Sequence, residues 1–259
     1  MLGSRIADHQ AEAGALDLVD RVEQSPLETR PFPHAYIERV FPPDYYRRLL
    51  ELLPETRRYR ELKHRDARLP DGTSARRKFY LFPEQIALLP AEQRAFWLEV
   101  SRALRARALQ EAFKRKFRDA LERRFQRSID RLWFYPVPML LRDFPGYRIG
   151  VHGDSLSKAI TVQLYLPRDE AQSHLGTVLH QARSGPDAER TRRLAFRPAT
   201  GYAFPVVYHE SWHSVVQTQA GDGERNSIML TYYVQQRPTD WLLERLKRWW
   251  VLLAYAVRR

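Results

Sequence analysis

The spacing of apolar residues changes near residue 130, and this change constrains the fold more than any other feature of the sequence. Before it, apolar residues recur at helical spacing, and over residues 90–126 they predict one long helix or a bent pair. After it, short β-branched and aromatic runs alternate with turns rich in Gly, Pro, Asp and Ser. The sequence therefore predicts an α+β protein in which supporting helices precede an antiparallel sandwich, barrel or jelly roll.

This division predicts four segments. They are a loose N-terminal arm over residues 1–30, a helical support region over 31–129, a β-rich core over 130–237 and a basic amphipathic C-terminal helix over 238–259. Residues 31–259 are expected to form one structural domain.

Composition narrows the chemistry that the chain can carry. The 259 residues include no cysteine, which excludes disulfides, iron–sulfur clusters and thiolate zinc sites, so any metal must be held by His, Asp or Glu. Lys and Arg outnumber Asp and Glu by 43 to 31, which favours anionic partners without choosing between nucleic acid, anionic lipid and phosphorylated substrates. The N-terminus lacks the apolar stretch of a secretory signal, so we expect a cytoplasmic location.

Residues 209–213 read HESWH and match the H-E-x-x-H motif of zinc metalloproteases letter for letter. That chemistry requires a helix, because only helical spacing places both histidines on one face beside the glutamate. Here the segment lies between strand-like runs, and Glu244, a candidate for the further ligand, belongs to another predicted element. We therefore reject the zinc-protease interpretation.

A second metal motif is H-x-D, at His152 and Asp154. Residues i and i+2 of a strand project from the same face, so these two side chains can reach one ion. A distal histidine follows, and then Arg225 and Ser227, again two residues apart in a strand-like run. This order resembles the Fe(II)- and 2-oxoglutarate-dependent oxygenases of the prolyl-4-hydroxylase type, over roughly residues 130–237.

The resemblance implies a double-stranded β-helix, which is a jelly-roll or cupin-like fold. His152, Asp154 and His213 would hold Fe(II) and leave positions open for an oxo acid and dioxygen. Arg225 and Ser227 would bind the distal carboxylate of 2-oxoglutarate. The implied reaction converts 2-oxoglutarate and oxygen to succinate and carbon dioxide and hydroxylates an unactivated carbon, with ascorbate as a candidate reductant. Desaturation and ring closure stay open.

The choice of His213 over His209 depends on position. In the family pattern the distal histidine opens the strand that precedes the arginine strand, and the run HSVVQTQA fits that description. If residues 221–223 close a hairpin as a three-residue loop, His213 and Arg225 point to the same face, whereas a two-residue loop separates them. The site interpretation therefore requires the longer loop or a bulge.

Other residues are weaker candidates for the pocket. Gln163 and Tyr165 lie on the polar face of an alternating strand and suit hydrogen bonds to the cofactor carboxylate, although a solvated outer face fits the same pattern. Tyr147, His209 and Trp212 are candidates for the substrate pocket. Aromatic packing explains Tyr147 and Trp212 equally well, and His209 fits a loop histidine.

The C-terminal run TDWLLERLKRWWVLLAYAVRR is too short in its apolar part to span a bilayer. It fits an amphipathic helix in a membrane interface, and it fits equally a helix that packs on the core or on a second copy. The expected partners are 2-oxoglutarate, dioxygen and an acceptor substrate, which is a small molecule, glycan, glycolipid or peptide. The basic surface would suit an acceptor that is anionic. Peripheral contact with the inner face of the membrane is an alternative to a purely cytoplasmic location.

Two other classes of function stay open. A non-catalytic cupin-like binding module would share the fold without needing Arg225 and Ser227. An oxygenase directed at nucleic acid would use the basic surface, but the sequence contains no recognisable base-reading module, so nucleic acid is not an expected partner.

Overall fold

The computed structural model describes residues 18–62, 67–185 and 191–234, together with six residues from 242 to 250. Those six, at positions 242, 245–246 and 248–250, are all helical. Residues 1–17 of the predicted arm and the rest of the predicted C-terminal helix lie outside the described residues. Within the described part of the chain, no helix is both long and apolar enough to cross a membrane.

Helices are concentrated before residue 130, as the apolar spacing predicts. They are α1 (residues 18–24), α2 (Pro43–Glu51), α3 (Pro83–Ile86), α4 (Ala91–Leu104), α5 (Arg107–Lys116) and α6 (Arg118–Phe125). The helical pattern over residues 90–126 therefore forms three helices. It breaks because Ala106 is extended, with ψ 137°, and because Phe117 leaves helical angles, with φ −109° and ψ 23°.

The strands form two antiparallel sheets. They are β1 (Ala35–Ile37), β2 (Arg60–Glu61), β3 (Arg76–Tyr80), β4 (Phe134–Asp143), β5 (Ile149–His152), β6 (Lys158–Tyr165), β7 (Thr177–His180), β8 (Thr191–Leu194), β9 (Gly201–Pro205), β10 (Trp212–Val215) and β11 (Arg225–Val234). The large sheet has the order β1-β9-β6-β11-β4-β3-β2, and the small sheet has the order β5-β10-β7-β8. This arrangement is a double-stranded β-helix, so the predicted fold class is confirmed.

The large sheet is wider than the predicted core. Strands β1, β2 and β3 come from the support region before residue 130, and they extend the sheet at both edges. The region therefore supplies strands as well as helices.

The two faces of the large sheet differ, because side chains alternate along each strand. On β11, Ile228, Leu230 and Tyr232 are fully buried in the core that the helices share, and the Tyr232 ring lies 5.9 Å from the ring of Phe113 in α5. The other face carries Arg225 and the residues that alternate with this apolar set. Helices thus cover one face, and the opposite face is left for the site.

The prediction that the strands of His213 and Arg225 form a hairpin is wrong. β10 pairs with β5 and β7 in the small sheet, whereas β11 pairs with β4 and β6 in the large sheet. Between them a 3-10 turn at Ala220–Asp222 is closed by the Asp222 carboxylate, which accepts a hydrogen bond from the Gln219 backbone N–H at 2.6 Å. The chain crosses from one sheet to the other between β10 and β11. The length of the loop therefore does not decide whether His213 and Arg225 point to the same side.

One end of the barrel collects the connections that matter for the site. Here β4 and β6 begin and β9 and β11 end, as the pairs Phe134↔Val234 and Ile160↔Pro205 show. β5 ends and β10 begins together, with His152 opposite His213. We call this end the mouth.

Candidate metal centre

The HESWH segment is not helical. Residues 208–210 form a turn in which His209 has φ 59° and is exposed, and the strand β10 begins at Trp212. His213 is buried and His209 is not, so the two histidines do not share a helix face. The geometry of an H-E-x-x-H zinc site is therefore absent from this segment.

His152, Asp154 and His213 come together at the mouth. One ligand atom from each lies within 4.8 Å of the other two, and no other such cluster of His, Asp or Glu occurs among the described residues. The two imidazole rings are 4.2 Å apart, because adjacent strands place the residues opposite each other. Asp154 follows directly after β5, in the connection to β6.

Both imidazoles are oriented by backbone carbonyls. Nδ1 of His152 contacts the Gly150 carbonyl oxygen at 2.9 Å, and Nδ1 of His213 contacts the Ser211 carbonyl oxygen at 3.1 Å. A carbonyl only accepts, so each Nδ1 must carry the proton and donate it. Nε2 is therefore the nitrogen on each ring that remains to bind a metal, and histidine binds metals through such a nitrogen when the other ring N–H is held by a carbonyl.

The Asp154 carboxylate is held on both oxygens. Its Oδ1 pairs with the Lys158 ammonium, and its Oδ2 accepts a hydrogen bond from the Thr161 hydroxyl at 2.6 Å. Burial alone would raise the pKa of Asp154, but Lys158, His213 and Thr161 outweigh it and lower the pKa to about 2. The carboxylate is therefore ionised at neutral pH.

His213 is neutral at the same pH. Burial lowers the pKa of its imidazole to about 4, although the Asp154 carboxylate acts in the opposite direction. The cluster therefore offers one negative charge and an unprotonated imidazole nitrogen, a donor set that suits a divalent transition metal.

Arg225 lies deeper in the barrel, at the start of β11, and is fully buried. Its Nε donates to the Leu175 carbonyl at 3.0 Å and its Nη1 donates to Asp143 at 2.9 Å. Asp143 also accepts two hydrogen bonds from Arg76, at 2.5 and 2.8 Å. One buried carboxylate therefore serves two buried guanidinium groups.

This cluster has a surplus of positive charge. Among the described residues, Asp143 is the only acid that pairs with Arg76 and Arg225. In the same part of the chain, Nη2 of Arg225 is buried and has no hydrogen-bond partner. An unpaired buried donor on a charged group is costly, so the arrangement suits an anionic acceptor. A ligand carboxylate would supply both the charge and the acceptor.

The predicted polar residues form one hydrogen-bonded chain inside the barrel. Gln163 donates to the Ser227 hydroxyl oxygen at 2.8 Å, which leaves the hydroxyl hydrogen of Ser227 to donate elsewhere. Tyr202 donates to Gln163 at 2.8 Å, and Thr177 contacts Tyr202 at 3.2 Å and, through its backbone N–H, the Tyr165 hydroxyl at 3.1 Å. Gln163 and Tyr165 are buried, so they do not lie on a solvated outer face.

The three substrate-pocket candidates lie in different surroundings. Tyr147 is buried, and the Arg76 guanidinium lies 4.0 Å from the centre of the tyrosine ring. Tyr147 therefore packs against the arginine cluster. Trp212 is half-buried at the mouth, and its ring packs over Gly153, so that a Cβ atom added to Gly153 would lie 3.4 Å from the ring. Its indole N–H donates to the carbonyl of His209 at 3.0 Å, so His209 and Trp212 are neighbours at the mouth.

Arg76, Asp143 and Tyr202 are site residues that were not predicted from the sequence. Arg76 and Asp143 are 67 positions apart, and only the pairing of β3 with β4 makes them neighbours. Tyr202 carried a usable signal, because it lies two residues before Phe204 in a strand-like run and shares a face with it. The structure then places it opposite Gln163.

Comparisons with known proteins agree on the fold. No sequence-family model matches the chain, and no curated protein gives a significant sequence match. Among solved structures, a prolyl-4-hydroxylase from Pseudomonas putida has a TM-score of 0.51 and 16% identity, covering 86% of this chain and 99% of its own. A prolyl hydroxylase from Trichoplax adhaerens, in complex with a hypoxia inducible factor peptide fragment, has a TM-score of 0.51 and 11% identity, covering 87% and 91%.

These likenesses define the class by its fold. The chain has the double-stranded β-helix of the prolyl-hydroxylase structures, and the resemblance seen in the sequence is confirmed at that level. Identities of 11 and 16% establish the fold and leave the activity to be argued from the site.

Proposed function

We propose that this protein is an Fe(II)- and 2-oxoglutarate-dependent oxygenase that hydroxylates an unactivated carbon. The observation that carries the proposal is the pairing of two sites inside one barrel. A His–Asp–His cluster lies at the mouth, and an arginine with an unpaired buried donor lies deeper on the facing sheet. A metal held by the cluster would keep open coordination positions, and a dicarboxylate could chelate it there with one end while its other end reached the arginine.

His152, Asp154 and His213 would hold the iron. Their two imidazole groups and single carboxylate match the donor types that Fe(II) oxygenases use. The carbonyl contacts at each Nδ1 fix the rings, and Thr161 fixes the carboxylate, so little rearrangement of the ligands is needed. When bound, the iron would activate dioxygen at the expense of 2-oxoglutarate.

Arg225 and Ser227 would bind the distal carboxylate of 2-oxoglutarate. The guanidinium group offers Nη2, the hydroxyl offers its free hydrogen, and the surplus positive charge of the arginine cluster favours an anion. Gln163 positions Ser227, and Tyr165 lies beside the guanidinium group at 5.7 Å. Asp143, which is itself paired with Arg76, positions Arg225 through its Nη1.

This charge surplus favours an oxygenase over a non-catalytic cupin-like module. A module that bound only a metal would gain nothing from a buried arginine with an unsatisfied donor, which lowers stability. The acceptor would be a small molecule, glycan, glycolipid or peptide, and the chain would act in the cytoplasm. The same oxygenase chemistry directed at nucleic acid is a weaker alternative, which the basic charge alone supports.

The test is anaerobic addition of Fe(II) and then 2-oxoglutarate to the metal-free protein, observed by visible absorption. We expect the weak metal-to-ligand charge-transfer band of a chelated 2-oxo acid. It should be lost in His213→Ala, which removes a proposed ligand, and kept in His209→Ala, which removes an exposed turn residue four positions away. A folded wild-type protein without the band, or a band that needs His209, would contradict the proposal.

A further inference from the structure

Three connections at the mouth each expose a large apolar side chain. Trp133 precedes β4, Leu156 lies between β5 and β6, and Tyr208 lies between β9 and β10, with 50 to 65% of each residue exposed. These residues are far apart in the chain, and the topology brings them to the end of the barrel that holds the metal cluster. We call Trp133, Leu156 and Tyr208 the rim.

The C-terminal helix adds an exposed apolar stripe. Leu242, Leu246, Trp249 and Trp250 are helical and 45 to 74% exposed. Their spacing along the chain places them on one side of a helix. We call these four residues the stripe.

Among the described residues of this helix, Arg248 contacts the rest of the protein. The Arg248 guanidinium lies 4.4 Å from the centre of the Phe82 ring and 5.9 Å from that of Tyr135, and it is 4.0 Å from the Glu84 carboxylate. Tyr135 is the second residue of β4, so the helix lies beside the mouth. A helix that served only to cover the core would bury its apolar side instead.

The surroundings of the rim are basic. Between residues 105 and 131, Lys and Arg outnumber Asp and Glu by 10 to 4. Arg124 of α6 donates to the carbonyls of Leu156 and Lys158 at 2.6 Å each, so this helix ends at the mouth. The Arg107 guanidinium lies 6.0 Å from the Trp133 ring centre. Tryptophan mixed with arginine is typical of protein surfaces that lie at the headgroup level of a bilayer.

We propose that the rim and the stripe dock on an anionic phospholipid surface, so that the mouth faces the bilayer. Two observations favour this occupant over a protein partner. The exposed apolar residues come from four separate segments around the mouth, which a lipid surface can contact together. The chain beside them is basic, with Arg107 next to Trp133 and ten Lys or Arg against four acids over residues 105–131. The contact is peripheral and does not depend on the metal.

The test is sedimentation of the full-length protein with vesicles of phosphatidylglycerol and phosphatidylcholine, compared with phosphatidylcholine alone. We expect binding to the anionic vesicles that weakens as salt is added. Trp249→Ala combined with Trp250→Ala should weaken it about tenfold or more, because both rings leave the interface.

A matched pair of arginine variants tests the location. Arg131→Ala removes an exposed charge two residues before Trp133, and it should weaken vesicle binding several-fold. Arg47→Ala removes an exposed charge from α2, whose Tyr46 hydroxyl donates to Pro167 beyond the far end of β6, and it should leave binding unchanged.

Three results would overturn the docking proposal. They are no binding of the wild-type protein to anionic vesicles, equal binding to neutral vesicles, and a double tryptophan variant that becomes monomeric from a dimer while it keeps its lipid affinity. The last would assign the stripe to a contact between two copies. The charge-transfer band, measured in every variant, reports the metal site separately, so a failure of one proposal is distinguishable from a failure of the other.

Discussion

Arg225 and Arg142 are two buried arginines on paired strands with opposite surroundings. Arg142 is matched on its face of the sheet by Asn226 at 2.9 Å, Thr56 at 2.6 Å and the Glu224 carboxylate at 3.2 Å. Within the described residues, Arg225 shares a single carboxylate with Arg76, and its Nη2 has no acceptor. The difference fits the proposal that Arg142 stabilises the protein, whereas Arg225 binds a ligand carboxylate.

Arg225→Lys should therefore raise the Kd of 2-oxoglutarate by about tenfold to a hundredfold, because an ammonium group lacks the planar pair of donors. The Kd is measured by anaerobic titration of the charge-transfer band with Fe(II) present. Arg142→Lys is the matched control. This variant should keep the wild-type Kd for 2-oxoglutarate, even if its unfolding midpoint falls. Equal effects of the two substitutions on the Kd would contradict the role of Arg225.

Among the elements, the small sheet depends on a close approach between β7 and β8. Gly176 directly precedes β7, and a Cβ atom there would lie 1.8 Å from the Leu194 carbonyl oxygen. No side chain fits at that separation without moving the backbone. β7 in turn pairs with β10, where Leu179 lies opposite His213, so this contact supports a proposed metal ligand.

Gly176→Ala should destabilise the protein by about 2 kcal/mol or more, because β8 must shift away from β7. Gly150→Ala is the control, since Gly150 also lies in the small sheet and a Cβ there would meet nothing within 4 Å. The control should change stability by less than about 0.5 kcal/mol. Urea unfolding midpoints measure both, and similar midpoints would show that β8 adapts without cost.

At the scale of the whole molecule, the two proposed binding groups lie on different sheets. His152 and His213 belong to the small sheet, and Arg225 and Ser227 belong to the large sheet. A 2-oxoglutarate molecule that reached both the metal and Arg225 would link the sheets. Its binding free energy then adds to the stability of the native barrel.

Fe(II) and 2-oxoglutarate together should therefore raise the Tm by more than the sum of their separate shifts. At ligand concentrations of about 100 times the Kd, the added stability is about 2.7 kcal/mol, or roughly 5–10 °C in a chain of this size. Anaerobic differential scanning calorimetry measures the four conditions. His213→Ala should abolish the synergy, and simply additive shifts in the wild-type protein would contradict a shared site.

The sequence by itself determined the order of helices and strands and the positions of the site motifs. Apolar spacing is a local property, so the helices before residue 130 and the strands after it were predictable. H-x-D is also local, although the structure places only His152 in a strand and Asp154 two residues later, in the connection after β5. The resemblance led further, to a jelly roll and to His213 as the third member of the cluster.

Only the tertiary structure decided which distant residues meet. Strand pairing brings Arg76 to Asp143, and the crossing between sheets removes the hairpin on which the register argument for His213 and Arg225 depended. The exposed stripe of the C-terminal helix likewise depends on which side of that helix meets Phe82. Such contacts are set by packing between elements far apart in the chain, and no local pattern of residues encodes them.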